Sequence, residues 1–227
     1  MVIGLLSLAH ALSPDLFPSL PSVLKQTYSE ALSTETWLAL GHTGMRVGLA
    51  FGSAVLLGVG IGLLIGDGRA WQLSQPTVDF FRSIPVTFLI PLVAMAWSPL
   101  SEGVVWLLTM YPSALIMILG VYQGFQSLDR ERMQAFVVLC GKWSRYRQFV
   151  NVTRYELLPQ LFTSARLALS YSIVIATVLE YMNIGDQESR RGIGALIQQE
   201  FSVFNAGRVV ALVLIVGIVG QALNKVI

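Results

Sequence analysis

Long apolar stretches separated by short polar segments dominate the chain. Val47 to Gly66 and Gly103 to Leu128 contain no charged residue. Leu167 to Gly185 carries a single charge, and Val209 to Asn224 carries none. A helix of about 20 mainly apolar residues is long enough to cross the hydrocarbon core of a bilayer. The pattern therefore predicts transmembrane helices over these four stretches.

A fifth apolar stretch, Ser83 to Ser101, is interrupted by prolines. Proline removes a helical hydrogen bond and clashes with the preceding turn, but a helix bundle in a membrane can re-satisfy the freed backbone groups. We therefore expect a kinked or broken span here, the third of the chain. Met1 to Leu12 is apolar but too short to span a membrane. We expect it to be the end of a first transmembrane helix from a longer natural chain, with a cleaved signal peptide as the alternative.

Composition supports a membrane protein and excludes several other classes. The 227 residues are 54% apolar and only 12% charged, whereas soluble domains carry roughly 25% charged residues. A soluble enzyme, a disordered chain and a nucleic-acid binder are therefore excluded. The chain has one cysteine, Cys140, and the sequence contains no phosphate-binding loop, no H-E-x-x-H and no C-x-x-C. We predict no catalytic residues and no metal site.

The distribution of basic residues predicts the orientation in the membrane. If the segment from Leu128 to Arg166 is cytoplasmic, ten Lys and Arg residues lie inside and five lie outside. Cytoplasmic loops carry an excess of Lys and Arg, so this orientation is favoured over its inverse. The outer segments 13–41 and 183–207 are polar, and we expect short interfacial helices in both.

Six glycines form two series, each with a spacing of four: Gly44, Gly48 and Gly52, then Gly58, Gly62 and Gly66. Small residues at this spacing lie on one helix face and allow another helix to approach closely. Close packing within the chain and a seam facing a partner both fit the pattern.

Two further features carry candidate chemistry. The segment from Leu128 to Arg166 is basic and aromatic, which fits docking on a partner, binding to anionic lipid or an ordinary solvated loop. Glu180 lies in the fifth span with no other charge nearby in the sequence. An intramembrane carboxylate is costly and faces a bundle interior or cavity. It could line a substrate path, relay protons, or pair with an arginine such as Arg82 or Arg166.

Several short stretches, taken together in their order and spacing, form a recognisable pattern: Leu20–Leu24, Met45–Gly52, Gly60–Gly66, Phe80–Pro85, Leu89–Leu92, Pro112, Gly120–Val121, Leu158–Leu169, Glu180–Met182 and Gly192–Ile197. The pattern resembles that of the permease subunits of bacterial ABC importers, in the nitrate, sulfonate and taurine branch of the binding-protein-dependent systems. The resemblance runs from about Leu16 to the C-terminus. The sequence departs from the family pattern in the cytoplasmic loop, where Gln134 stands in place of a glutamate and only Ala135 remains of an Ala-Ala pair.

The resemblance implies an all-α integral membrane protein of the type I importer class. We expect five clear transmembrane helices plus the partial N-terminal one, in the bacterial cytoplasmic (inner) membrane. We expect a partial helix or signal remnant at 1–12, an external segment at 13–41 and a permease core at 42–227. A coupling loop at 128–159 would hold a cytoplasmic coupling helix.

The resemblance also implies roles and partners. The chain would bind no cofactor, while ATP and Mg²⁺ would bind separate ATPase subunits. A periplasmic or lipid-anchored substrate-binding protein and a second permease copy would complete a homodimeric importer. The residues expected to couple to the ATPase are Gln134, Ala135, Gly141, Lys142 and Trp143. The residues expected to line the translocation path are Glu180, Asn183, Tyr122, Gln123 and Tyr111.

The expected function is alternating-access import of a small solute, with a nitrate-, sulfonate- or taurine-like anion favoured. A vitamin or pyrimidine precursor transported by the same family is the alternative substrate class. An ion-coupled carrier without an ATPase is disfavoured, because such carriers have interrupted spans in both of two repeated halves. A membrane-embedded enzyme is disfavoured because Glu180 is the only reactive group at membrane depth.

Overall fold

The structure, a computed structural model, describes residues 18–65, 68–96, 102–127, 138, 153–185 and 191–226. Within these ranges the regular elements are eight α-helices. They are α1 (Leu20–Ala31), α2 (Thr34–Ile65), α3 (Gly68–Ser83), α4 (Val86–Ala96), α5 (Glu102–Gln126), α6 (Arg154–Tyr181), α7 (Ile193–Ser202) and α8 (Ala206–Val226). The described part of the chain is therefore all-helical, as the sequence predicts.

Four of these helices, α2, α5, α6 and α8, are long and apolar enough to cross a membrane. A fifth candidate span is the bent pair formed by α3 and α4, whose axes meet at 82°. The sequence predicted a kinked or broken span over Ser83–Ser101; the structure has a bend, but it lies at the start of that stretch and α3 precedes it. That the bent pair crosses the membrane as one span stays a prediction. The break falls at Ile84 because the following Pro85 disfavours helical geometry in the residue before it. Pro85 then accepts a hydrogen bond from the Phe88 N–H in the first turn of α4.

Two helices extend beyond the predicted spans. Helix α2 begins at Thr34, inside the segment 13–41 that was expected to be external. Its first turns are held by tertiary packing, because Ala39 belongs to a buried apolar cluster. Helix α6 begins at Arg154, before the predicted end of the coupling loop at 159. Short helices do occur in both polar outer segments, as α1 and α7.

Contacts divide the chain into two compact units. The first unit comprises the described residues up to Leu49, those from Leu92 to Leu107 and those from Ile173 to Val226. The second unit comprises Ala50–Pro91 and Leu108–Ser172.

In the first unit, α8 packs against both α1 and α7. Its core is a cluster of fully or nearly fully buried apolar side chains that join the start of α2 to α7 and α8. They are Ala39, Ile193, Leu196, Ile197 and Leu212. The short helix α7 is thus fixed along one face by apolar packing, which is the main source of stability for a helix of this length.

In the second unit, glycines let α2 approach α5 closely. A Cβ added at Gly58 would lie 2.5 Å from the Met117 Cβ and 2.7 Å from the Ala114 carbonyl oxygen. One added at Gly62 would lie 2.7 Å from the Val121 Cβ. These two glycines therefore pack within the chain.

The first glycine series differs from the second. A Cβ added at Gly44, Gly48 or Gly52 meets no atom within 4 Å. Among the residues that the structure describes, nothing packs closely against this series, so its role as a seam stays a prediction. Gly66 lies outside the described residues.

We predict that Gly58→Ala destabilises the folded protein by about 1–3 kcal/mol, the usual cost of forcing extra volume into close packing. The clash involves the backbone of α5, which cannot move aside as a flexible side chain could. Thermal unfolding of the detergent-solubilised protein measures the effect.

Gly60→Ala is the matched control, because a Cβ at Gly60 on the same helix meets nothing within 4 Å. It should leave the melting temperature unchanged or slightly raised, since alanine favours a helix over glycine. Equal destabilisation by both variants would contradict the close packing of α2 on α5.

Candidate functional site: a buried charge cluster

The central feature of the first unit is the carboxylate of Glu180, which is fully buried in the last turn of α6. Three donors surround it. Arg46 Nη1 donates to Oε1 at 2.8 Å, while the Thr43 hydroxyl and the Gly194 N–H donate to Oε2 at 2.8 and 3.1 Å. A buried charge is tolerated when it is paired and hydrogen-bonded. The cluster meets that condition with groups from α2, α6 and α7.

The start of α7 is built around this carboxylate. The Gly194 N–H binds Glu180 directly, and the Ile193 N–H donates to the Thr43 hydroxyl at 2.9 Å. These are two of the four N–H groups that the first turn of a helix leaves without an intrahelical partner. The positive end of the α7 dipole also favours a nearby negative charge. Glu180 and Thr43 therefore cap α7, although Thr43 is 150 residues away from it in the sequence.

Two glycines let the start of α7 come close enough to α6 for these hydrogen bonds to form. A Cβ at Gly192 would overlap the Glu180 carboxyl group, and one at Gly194 would overlap the Thr177 carbonyl oxygen. The Gly192-Ile193-Gly194 stretch thus owes its glycines to the contact with α6. Ile193 between them is fully buried in the core.

Arg46 joins Glu180 to a second carboxylate. Its Nε and Nη2 bind the two oxygens of Glu102, the first residue of α5, each at 2.9 Å. The Arg46 side chain is 12% exposed and that of Glu102 is 40% exposed. This bidentate geometry is among the stronger forms of ion pairing. The cluster holds one cation between two anions.

A second arginine holds the opposite end of α7. Arg208 in α8 binds Glu200 at 2.6 Å, Glu30 at 2.8 Å and Glu35 at 2.8 Å. These three acids come from α7, α1 and α2 respectively. Asn205 adds a hydrogen bond from its side-chain amide to Glu200. Helix α7 is therefore tied by a charged group at each end.

The sequence did not identify the arginine that pairs with Glu180. The structure gives Glu180 the partner Arg46, whereas Arg82 is mostly exposed and lies 3.9 Å from Asp79. Arg46, Glu102 and Thr43 were not selected from the sequence either. The sequence did offer a signal for this cluster. Arg46 and Glu102 each stand directly before a charge-free stretch, and a charged side chain that is buried there must find a partner.

The other residues predicted for the translocation path have separate surroundings. Asn183 is exposed at the end of α6, with a positive φ of 55°. Asparagine tolerates this conformation and commonly ends helices in it. The other three residues belong to the second unit. The Tyr111 hydroxyl donates a hydrogen bond to the Phe81 carbonyl oxygen. The Tyr122 ring stacks on that of Trp71 with the ring centroids 3.7 Å apart, and the Gln123 side chain is exposed. A path lined by all five residues stays a prediction.

The five residues predicted for ATPase coupling lie outside the described residues. They are Gln134, Ala135, Gly141, Lys142 and Trp143. Among the residues that the structure describes, no group of three or more His, Cys, Asp or Glu side chains is placed to hold a metal ion.

Comparison with known families decides the class of the protein. A family model described as the inner membrane component of binding-protein-dependent transport systems matches residues 54–226. The chain belongs to this family. It is thus a multi-pass permease subunit of an ABC importer in the inner membrane, and it is not itself an ATPase. The resemblance inferred from the sequence motifs is confirmed.

Individual relatives of this permease are distant. The nitrate import permease protein NrtB of Synechocystis sp. is 26% identical over 223 residues, which cover 92% of this chain and 77% of that protein. The taurine transport system permease protein TauC of Escherichia coli is 23% identical, with coverage of 94% and 77%. The bicarbonate transport system permease protein CmpB of Synechococcus elongatus is 22% identical, with coverage of 79% and 63%.

The fold of the permease is similar to a chain of the MetNI methionine ABC transporter, solved in inward-facing conformations. The TM-score is 0.63 at 15% sequence identity, over 84% of this chain and 96% of that one. At this identity the likeness supports the fold alone.

We predict that Arg46→Met destabilises the permease by about 3–5 kcal/mol, because it leaves the buried Glu180 charge without its counter-ion. The double variant Arg46→Met/Glu180→Met should recover much of that loss, since it removes both charges and keeps apolar volume. Thermal unfolding in detergent, run as a double-mutant cycle, measures the coupling.

The matched control is Arg82→Met, which removes a mostly exposed arginine whose only described ion pair is with Asp79 at 3.9 Å. Exposed pairs of this kind contribute about 0–1 kcal/mol, so this variant should unfold close to wild type. Additive effects of Arg46→Met and Glu180→Met would show that the two side chains do not support each other.

Proposed function

We propose that this permease forms, with a second copy of itself, the path by which a small anionic solute is imported. The proposal is carried by the family match over residues 54–226. The solutes named for the relatives support the class of substrate. Nitrate and bicarbonate are anions, and taurine carries a sulfonate, so the three solutes share a compact oxyanion group. These solutes are named for three relatives that cover most of this chain.

The energy for import comes from separate ATPase subunits that bind ATP and Mg²⁺. In this proposal Gln134, Ala135, Gly141, Lys142 and Trp143 form the surface that docks on the ATPase. The basic and aromatic character of the segment from Leu128 to Arg166 supports a protein partner there. A substrate-binding protein delivers the solute at the opposite side of the membrane.

Transport proceeds by alternating access. Closure of the ATPases moves the coupling segments, and the spans tilt to open the path on one side or the other. ATP and solute can act on one equilibrium only if each binds the two conformations with different affinity. The proposed path residues are Glu180, Asn183, Tyr122, Gln123 and Tyr111. Glu180 contributes by holding α7 in place, since its carboxylate is already occupied by three donors.

We predict that Gly141→Asp abolishes co-purification of the ATPase subunit while the permease still inserts and folds. A negative, bulkier side chain at the centre of the proposed docking surface would block close contact with the partner. Affinity purification of the tagged permease, expressed together with the ATPase subunit, measures the association.

Gln75→Asp is the matched control. It places the same charge on an exposed position of α3, outside the proposed docking surface. This variant should retain the ATPase. Loss of the ATPase from both variants, or from neither, would count against the proposed docking surface. Solute uptake by the permease with no ATPase present would contradict the importer function.

A further inference from the structure

A recess of about 520 Å³ lies between the start of α2 and α7, within the first unit. Pockets that bind small molecules have volumes of about 300–1,000 Å³ and combine apolar surface with a few polar groups. The lining of this recess has the same mixed character. It consists of Glu35, His42, Arg191 and Gln199 together with Leu38, Ala39, Gly192 and Leu196.

Helix α7 runs antiparallel to the first turns of α2. At the start of α7, the Ile193 N–H donates to the Thr43 hydroxyl of α2. Near the other end of α7, Glu200 shares the partner Arg208 with Glu35, the second residue of α2. The two ends of the recess are therefore built from different residues of each helix.

The polar groups of the lining lie at these two ends. Glu35 and Gln199 lie at the end near Arg208. His42 and Arg191 lie at the other end, beside the start of α7. Glu35 and His42 are seven residues apart in α2, which corresponds to about 10 Å along a helix. The recess thus has a carboxylate at one end and a guanidinium at the other.

The end of the recess near Glu35 carries an excess of negative charge. Arg208 is bound there by three carboxylates, those of Glu30, Glu35 and Glu200. One cation neutralises only one of the three anions. The Glu35 side chain is 61% exposed, so its carboxylate can accept hydrogen bonds from a further cation. At the opposite end, the exposed Arg191 supplies positive charge.

Opposite charges at the two ends of one recess match a zwitterion. At neutral pH taurine carries a sulfonate and an ammonium group, whereas nitrate and bicarbonate carry no cationic group. Arginine binds oxyanions through its planar fork of N–H donors, and an ammonium group donates charge-assisted hydrogen bonds to a carboxylate. The charge pattern therefore distinguishes between the solutes that the relatives are named for.

We propose that this recess is a binding site for a small zwitterion of the amino-sulfonate or amino-carboxylate class. The acid group of the solute binds Arg191, with His42 as a second donor. The ammonium group binds Glu35, with the Gln199 side-chain oxygen as a second acceptor. Leu196 provides apolar surface for the methylene groups between the two charges. Both sides of the recess belong to segments predicted to be external, where an imported solute arrives.

The choice of an amino-sulfonate as the probe rests on the proposed function, but the test requires no transport. The permease is purified with its ATPase in lipid nanodiscs and titrated by isothermal calorimetry with taurine and with ethanesulfonate, which lacks only the amino group. Taurine should bind about ten-fold more tightly than ethanesulfonate, because only taurine can form the charge-assisted hydrogen bond to Glu35.

Two variants assign the two ends of the recess. Glu35→Gln should bind taurine about ten-fold more weakly than wild type and ethanesulfonate equally well. Retained ethanesulfonate binding also shows that the recess is intact although Arg208 has lost one of its three carboxylates. Arg191→Gln should bind both sulfonates about ten-fold more weakly, because both use the guanidinium.

The matched controls are Asp79→Asn and Arg82→Gln. They remove an exposed acid and an exposed arginine that lie 3.9 Å apart in the second unit. Both should bind the two sulfonates as wild type does. The proposal is overturned if taurine does not bind, if wild type binds both sulfonates equally, or if Glu35→Gln weakens both to the same extent.

Failure of the proposed function has a different signature. If the ATPase does not co-purify, the importer proposal fails on that result, and the titration of the permease alone still decides whether the recess binds a zwitterion. If ATP-driven uptake of nitrate or bicarbonate is found but taurine does not bind, the importer proposal stands and the assignment of the recess is wrong.

Discussion

The organisation of the first unit depends on the requirement that a buried carboxylate be fully paired. Glu180 lies at the end of a membrane-spanning helix with no exposure to solvent, and two of its donors come from α2 and the third from α7. Arg46 supplies the counter-charge, Thr43 the hydroxyl and Gly194 the backbone N–H. Loss of any one donor leaves a desolvated group unsatisfied. This single requirement fixes α2, α6 and α7 against one another.

Contacts with charged and polar side chains at both ends explain why α7 can be short and still hold a fixed position. Ten residues are too few for an isolated helix to be stable in water. Here one end of α7 meets Glu180 and Thr43, the other end meets Arg208 through Glu200, and apolar packing against Ala39 and Leu212 joins the two ends.

The sequence predicted the spans well because their signal is local. Charge-free stretches located the long helices, and the prolines of Ser83–Ser101 predicted an interrupted helix without fixing the point of the break, which lies between α3 and α4. The Glu180 partner could not be predicted in the same way, because Arg46 is far away in the sequence and only the fold brings it near. Glycine spacing was informative for Gly58 and Gly62, which pack on α5. Gly44 and Gly48 have the same spacing, but in the described part of the chain no atom lies within 4 Å of a Cβ added at either one. Glycine spacing identifies a helix face and not the partner of that face.

We propose that this permease conducts a small oxyanion-bearing solute and takes its energy from another subunit. Uptake of labelled nitrate, bicarbonate and taurine into liposomes that contain the permease, its ATPase and its binding protein tests both points at once. We expect uptake of at least one of the three solutes that requires ATP and stops when the ATPase cannot hydrolyse it. Uptake driven by an ion gradient, with neither ATP nor the ATPase present, would show that the permease is not an ATP-driven importer.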